Sequence, residues 1–209
     1  MAVTPRALIN KLNATCQKAL TEAIATCNAR GHFNVELEHW LLALLNNTNN
    51  DLAFLLRQYA IDAAKVKREL EKALERFKTG NTRGTPALGE DVLNATREAW
   101  VLGSLEQGAN RVRSAHLLAA ALGDRIMGDG IRGSSPELGR ISVEKLLADL
   151  KELLPRVASE ENDQEASAAA LGSPDSAKPQ SASKGGKTPA LDQFTVNLTA
   201  NAKAGKIDP

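Results

Sequence analysis

The chain has 209 residues, 43% of them hydrophobic and 24% charged, which suits a globular protein with one sizeable core or two small ones. Lys and Arg number 26 against 25 Asp and Glu, a formal net charge of +1, and aromatics are only 3%. That balance argues against a nucleic-acid backbone as partner, and so few aromatics argue against a base-stacking platform. No apolar run approaches the roughly 18 residues of a membrane span. The start, Met1-Ala2-Val3-Thr4-Pro5-Arg6, lacks the basic-then-apolar order of a signal peptide. The expected location is cytoplasmic, with neither nucleic acid nor membrane as partner.

Helical spacing dominates from Leu8 to Val157. Leu12, Cys16, Ala19, Leu20, Ala23, Ile24 and Cys27 recur at three and four, predicting one amphipathic helix that begins with Leu8 and Ile9. Its two cysteines, Cys16 and Cys27, are about three turns and about 16 Å apart, too far for a disulfide, and are read as small buried side chains. No CxxC pair or Cys/His cluster with metal-ligand spacing is present. Glu38 to Leu45 predicts a short apolar helix. Asp51 is expected to cap the next, carrying Leu52, Leu55 and Leu56, and Asp62 another, carrying Val66, Leu70, Ala73, Leu74 and Phe77. On that last helix Lys65, Lys67, Arg68, Lys72 and Arg76 alternate with Glu69, Glu71 and Glu75, the pattern of a solvated face with i,i+4 pairs.

An internal repeat follows at an offset of 77. Ala23 to Leu45 (AIATCNARGHFNVELEHWLLALL) matches Trp100 to Leu122 (WVLGSLEQGANRVRSAHLLAAAL) at Gly31/Gly108, Val35/Val112, His39/His116, Leu41/Leu118 and Leu45/Leu122. In each copy a long helix ends at a glycine, a loop follows, and a short apolar helix comes next. Ile61-Asp62-Ala63-Ala64-Lys65 matches Ile141-Ser142-Val143-Glu144-Lys145 at offset 80. The expected fold is all-α, two four-helix halves packed as a pseudo-twofold pair, about 8–77 and 88–155, joined by the polar turn Lys78 to Pro86. The repeated histidines are expected to hold the loops rather than to catalyse, since no nucleophile and carboxylate accompany them. Trp40 and Trp100 are read as core or half-buried anchors.

From Ser159 the texture changes. Ser159 to Pro189 (SEENDQEASAAALGSPDSAKPQSASKGGKTP) has one large apolar residue, Leu171, and reads as a flexible linker. Its Gly185-Gly186-Lys187-Thr188 is not a phosphate-binding loop: Ser181 stands where the first glycine of GxxxxGK[ST] belongs, and no strand precedes it. The last segment, Ala190 to Pro209, regains apolar residues but is too short to fold alone.

The duplicated helix-glycine-loop-helix pattern with Glu38-His39-Trp40-Leu41-Leu42 resembles the N-terminal domain of Clp/Hsp100 unfoldases. The tail LDQFTVNLTANAKAGKIDP is similar to the start of their first AAA+ module. VELEHWLLALL (Val35 to Leu45) and LINKLN (Leu8 to Asn13) look like the ClpV branch, the ATPases of type VI secretion. The second copy departs from the motif, with Ala115-His116 in place of Glu38-His39. The resemblance implies a Clp N-terminal helical domain over 1–158, a linker over 159–189, and the truncated start of an AAA+ module over 190–209. It also implies a substrate-recognition role in an ATP- and Mg-dependent unfoldase whose ring is hexameric. This chain itself offers no nucleotide, metal or catalytic site, is not expected to be an enzyme, and is expected to be monomeric by itself. The implied ligand is an amphipathic N-terminal helix of the large subunit of the contracted type VI sheath, which the ATPase ring would then disassemble. Leu8, Ile9 and Leu12 lie ahead of the part common to Clp N-domains, so they are read as one wall of an exposed groove, with Leu88 and Val92 after Pro86 as the other. Two alternatives remain open. Leu8, Ile9 and Leu12 could simply extend the core. The domain could also be that of a general Clp or ClpB-type chaperone binding unfolded chains or adaptors.

Overall fold

The computed structural model describes residues 4–82, 84–154 and Glu160. The linker and the final segment, apart from Glu160, lie outside the described residues.

Two sets of four helices follow one short leading helix. That leader, α1 (Pro5–Ile9), starts where the Thr4 hydroxyl accepts the Ala7 N–H and Pro5 supplies a pre-set φ. The first half comprises α2 (Ala14–Ala29), α3 (Leu37–Asn46), α4 (Asp51–Gln58) and α5 (Ala63–Leu74). The second comprises α6 (Glu90–Gln107), α7 (Ser114–Gly123), α8 (Arg125–Ser134) and α9 (Val143–Leu153), with a single 3-10 turn at Leu138–Arg140. The all-α, two-half expectation therefore holds among the described residues. The first helix does not: α2 begins at Ala14, and Leu8 and Ile9 sit in the separate α1. Asn13 accounts for the break, since its side chain accepts the Cys16 N–H at 2.8 Å and restarts the helix.

The repeated glycines do the work that their positions imply. Gly31 and Gly108 both lie in the left-handed region, at φ 67° and 61°, turning the chain out of α2 and α6. The loops then make two short parallel pairings that helical periodicity gives no hint of. Strand β1 (Asn34–Val35) pairs with β2 (Ala87–Leu88), and Leu12 bridges Val112. Each half thus lends the residues just ahead of its long helix to the loop of the other half. The exchange is the pseudo-twofold relation made visible in hydrogen bonds: Gly89 donates to Val35 O at 2.9 Å, and Asn13 donates to Val112 O at 2.9 Å.

The core is built around α3 and α7. Both are apolar on nearly every face, as an enclosed helix must be, and residues Leu37, Trp40–Leu44 and Ala115, Leu117–Leu122 are buried. The Trp40 indole N–H donates to Cys16 O at 3.1 Å, fastening α3 to α2. Trp100 is half-buried. Cys16 and Cys27 are buried and unbridged.

Two expectations need correcting. Asn50, not Asp51, caps α4, accepting the Ala53 N–H at 2.8 Å. Asp51 is the first helical residue, wholly buried, and meets the Arg113 guanidinium at 2.7 and 2.8 Å. The charged face of α5 is also not simply solvated. Lys65 reaches Glu137 at 2.6 Å, and Glu69 accepts from the Ser135 hydroxyl at 2.6 Å and the Glu137 N–H at 3.1 Å. Those charges staple α5 to the segment after α8, because α5 packs against α8 at the seam between the halves. Asp62 does cap α5, accepting from Ala64 and Lys65.

Candidate functional site

Leading helix α1 is held from three sides. Gln17 Nε2 donates to Ile9 O at 3.2 Å and Leu12 O at 3.1 Å, tying it to α2. Arg111 donates to Asn10 O, and Val112 N–H donates to Lys11 O at 2.8 Å. Lys11 Nζ stands 4.1 Å over the Trp100 ring of α6. Clamped this way, α1 packs on α6 and turns its apolar side inward.

That packing overturns most of the expected groove wall. Leu8 is 5% exposed, Leu12 0% and Val92 1%. A partner cannot touch Leu12 or Val92, and it reaches little of Leu8; these three extend the core. Ile9 and Leu88 stay half-buried and keep surface to offer. The structure thus separates two half-buried positions from three core ones.

An open groove does exist along α2. Thr21, Ile24, Ala25 and Asn28 stand at i, i+3, i+4 and i+7, one face of a helix, and face Thr82, Gly84, Thr85 and Pro86 of the connector across it. The same stripe continues N-terminally through Gln17, whose side chain holds the α1 backbone. Ile9 adjoins this stripe through Gln17, and Leu88 pairs with Val35 two residues past Pro86. The pseudosymmetry explains the opening. In the sequence repeat, the stretch just ahead of α6 corresponds to α1 ahead of α2, and its residues 82 and 84–86 line the α2 face. On α6 the counterpart face carries α1; on α2, among the described residues, the face is flanked by connector residues 82 and 84–86. Ile24 shows in the sequence as one more member of the core stripe, and the spacing gave no sign that it stays half-exposed.

The repeated histidines are structural, as expected. His39 Nδ1 accepts the Glu36 N–H at 3.1 Å, and His116 Nδ1 accepts the Arg113 N–H at 3.2 Å, each at the third position of its helix. An accepting Nδ1 leaves the proton on Nε2. That N–H goes to His32 Nδ1 at 2.8 Å in the first half and to Gln107 Oε1 at 2.8 Å in the second. Burial, reinforced by His32 and Arg30, pushes His39 down to about 4, and burial with Arg113 does the same to His116.

Folding also brings Cys27, His32 and His39 within 4.8 Å of one another, a cluster invisible in the linear spacing. The hydrogen bonds show that it does not suit a metal. An ion on His39 Nε2 would force the proton to Nδ1, against the Glu36 N–H, and break the start of α3. The Cys27 thiol is moreover pushed up by burial and by Glu36, and its hydrogen points at Asn34 O, 3.1 Å from the sulfur. The three groups form a hydrogen-bonded packing cluster with Phe77.

The family model of the Clp repeat N-terminal domain matches residues 11–130. The chain belongs to that family. It is 37% identical to the chaperone ClpB of Yersinia enterocolitica over its whole length, and 37% identical to the AAA+ ATPase ClpV1 of Pseudomonas aeruginosa over 97% of it. The chain spans only 23% and 22% of those two proteins. Among solved structures it is similar to the N-terminal domain of ClpV1 from enteroaggregative E. coli, with 32% identity and TM-score 0.64 over 74% of this chain and 92% of that one. A complex of a ClpV N-domain with a VipB peptide matches at 26% identity and TM-score 0.63 over 76% and 96%. The fold and the similarities are those of the N-terminal domain of a ClpV-like AAA+ ATPase. No helix among the described residues is long and apolar enough to cross a membrane.

Proposed function

We propose that this domain recognises an amphipathic helix at the N-terminus of a type VI sheath subunit and presents it to an AAA+ ring, for which ATP and Mg would be needed in modules outside this chain. The observation that carries the reading is the open, partly apolar face of α2, on a fold shared with a ClpV N-domain that holds a VipB peptide. A helix laid along that face would meet Ile24 and Ala25, and the half-buried Ile9 and Leu88 are the further apolar positions that it is proposed to reach. Helix-in-groove recognition uses anchors at i, i+3, i+4 and i+7, the spacing that α2 itself presents.

The equal identity to a ClpB supports a second reading, in which the same face takes unfolded chains. Fluorescence anisotropy separates the two. The sheath reading expects saturable binding of the cognate subunit's N-terminal peptide and at least a tenfold weaker response to a scrambled peptide or to a casein-like chain. Equal binding of all three would move the domain to the general chaperone class.

A further inference from the structure

Glu160 falls, by composition, in the stretch read as linker, yet it is wholly buried. Its carboxylate is saturated. One oxygen accepts the Asp51 N–H at 2.8 Å and the Ser114 hydroxyl; the other accepts the Asn13 amide at 2.6 Å and the Ser114 N–H at 2.9 Å. Two hydrogen bonds to each oxygen use the full accepting capacity of a carboxylate. The donors come from both halves of the molecule. Asp51 and Ser114 are the first residues of α4 and α7, so their N–H groups point out of the helix starts, at the positive ends of two helix dipoles. Asn13 caps α2 with its oxygen and gives its amide hydrogen to Glu160.

We propose that the junction of α2, α4 and α7 is a carboxylate receptor built at the seam of the two halves, and that its occupant is Glu160 of this chain. The anchor fixes Glu160 on the folded domain, inside the stretch that composition alone reads as linker. It also ties Glu160 to the start of α2. Asn13 holds Glu160 through its side chain and Val112 through its backbone, one residue after Leu12 and the clamp on α1. The chemistry of the receptor, four donors converging at 2.6–2.9 Å where distances are ordinary, is that of a site for an anionic carboxylate. The proposal does not depend on what the α2 face binds.

The test uses the full 209-residue chain, isotope-labelled, with Glu160→Ala, Glu160→Gln and the neighbouring Glu161→Ala as control. The receptor predicts that Glu160→Ala lowers the melting temperature by about 5–10 °C. It also predicts that the Asp51 and Ser114 amides exchange at least tenfold faster, while Leu118 in the core of α7 changes only with global stability. Glu160→Gln, which turns one acceptor into a donor, should lose part of both, and it carries the exchange measurement if the alanine variant does not fold. Glu161→Ala should match the parent. Melting of Glu160→Ala within about 1 °C of the parent, or exchange at Asp51 and Ser114 that does not respond in either variant, would overturn the receptor.

Discussion

His39 and His116 show how a single proton position can hold a loop. Each ring must be neutral, because its Nδ1 accepts a backbone N–H. In the unfolded chain a histidine takes up its proton near 6.5, whereas these two resist it down to about 4. The stability that they contribute is therefore complete above about pH 6.5 and is lost as pH falls toward 4, where the unfolded state binds the extra protons. Urea midpoints should fall steadily between about pH 6.5 and about pH 5. His116→Gln, whose side-chain oxygen can still accept the Arg113 N–H without titrating, should flatten part of that slope; an unchanged slope would place the proton uptake elsewhere. The repeat made a structural role for these histidines legible in the sequence. Their partners were not legible, because His32 and Gln107 are not repeat-related, and only the fold brings His32 beside Cys27.

Between elements, close approach decides. A Cβ on Gly103 of α6 would lie 2.9 Å from the His116 ring, so a residue that ordinarily weakens a helix interior is what lets α7 sit against α6. Gly103→Ala should destabilise by about 1–3 kcal/mol through overpacking, although alanine is the better helix former by about 1 kcal/mol. A gain in denaturation midpoint would mean that the ring moves aside freely. The Arg113–Asp51 pair, buried at the seam, is the second such constraint. Arg113→Met should cost about 3–5 kcal/mol in chemical denaturation, since it removes the two-point pairing from the buried Asp51 carboxylate; a loss under 1 kcal/mol would show the seam can relax. Helix type and most of the buried stripes followed from periodicity. The breaks did not: Asn13 and Asn50 win as caps over a continuous helix and over Asp51, because a short side chain at the right φ and ψ outweighs an uninterrupted apolar pattern.

At the scale of the molecule, the two halves are related by exchange of the residues that precede their long helices, and the functional asymmetry lies in what each half receives. On α6 the incoming segment is a helix, α1; on α2 it is a turn, and the face beside it stays open. This is why Leu8, Leu12 and Val92, apolar and correctly spaced, turned out to be core. The sequence marks them as apolar but cannot say which apolar surface already has a partner, whereas Ile9 and Leu88 stay half-buried at the margins of the packed region. The most direct measurement is the affinity of the full chain for the cognate sheath subunit's N-terminal peptide, compared with Ile24→Arg and Leu88→Arg variants shown to be folded by circular dichroism. The account predicts at least a tenfold loss for Ile24→Arg and a smaller loss for Leu88→Arg. Binding retained at the parent affinity in both variants would contradict recognition along α2.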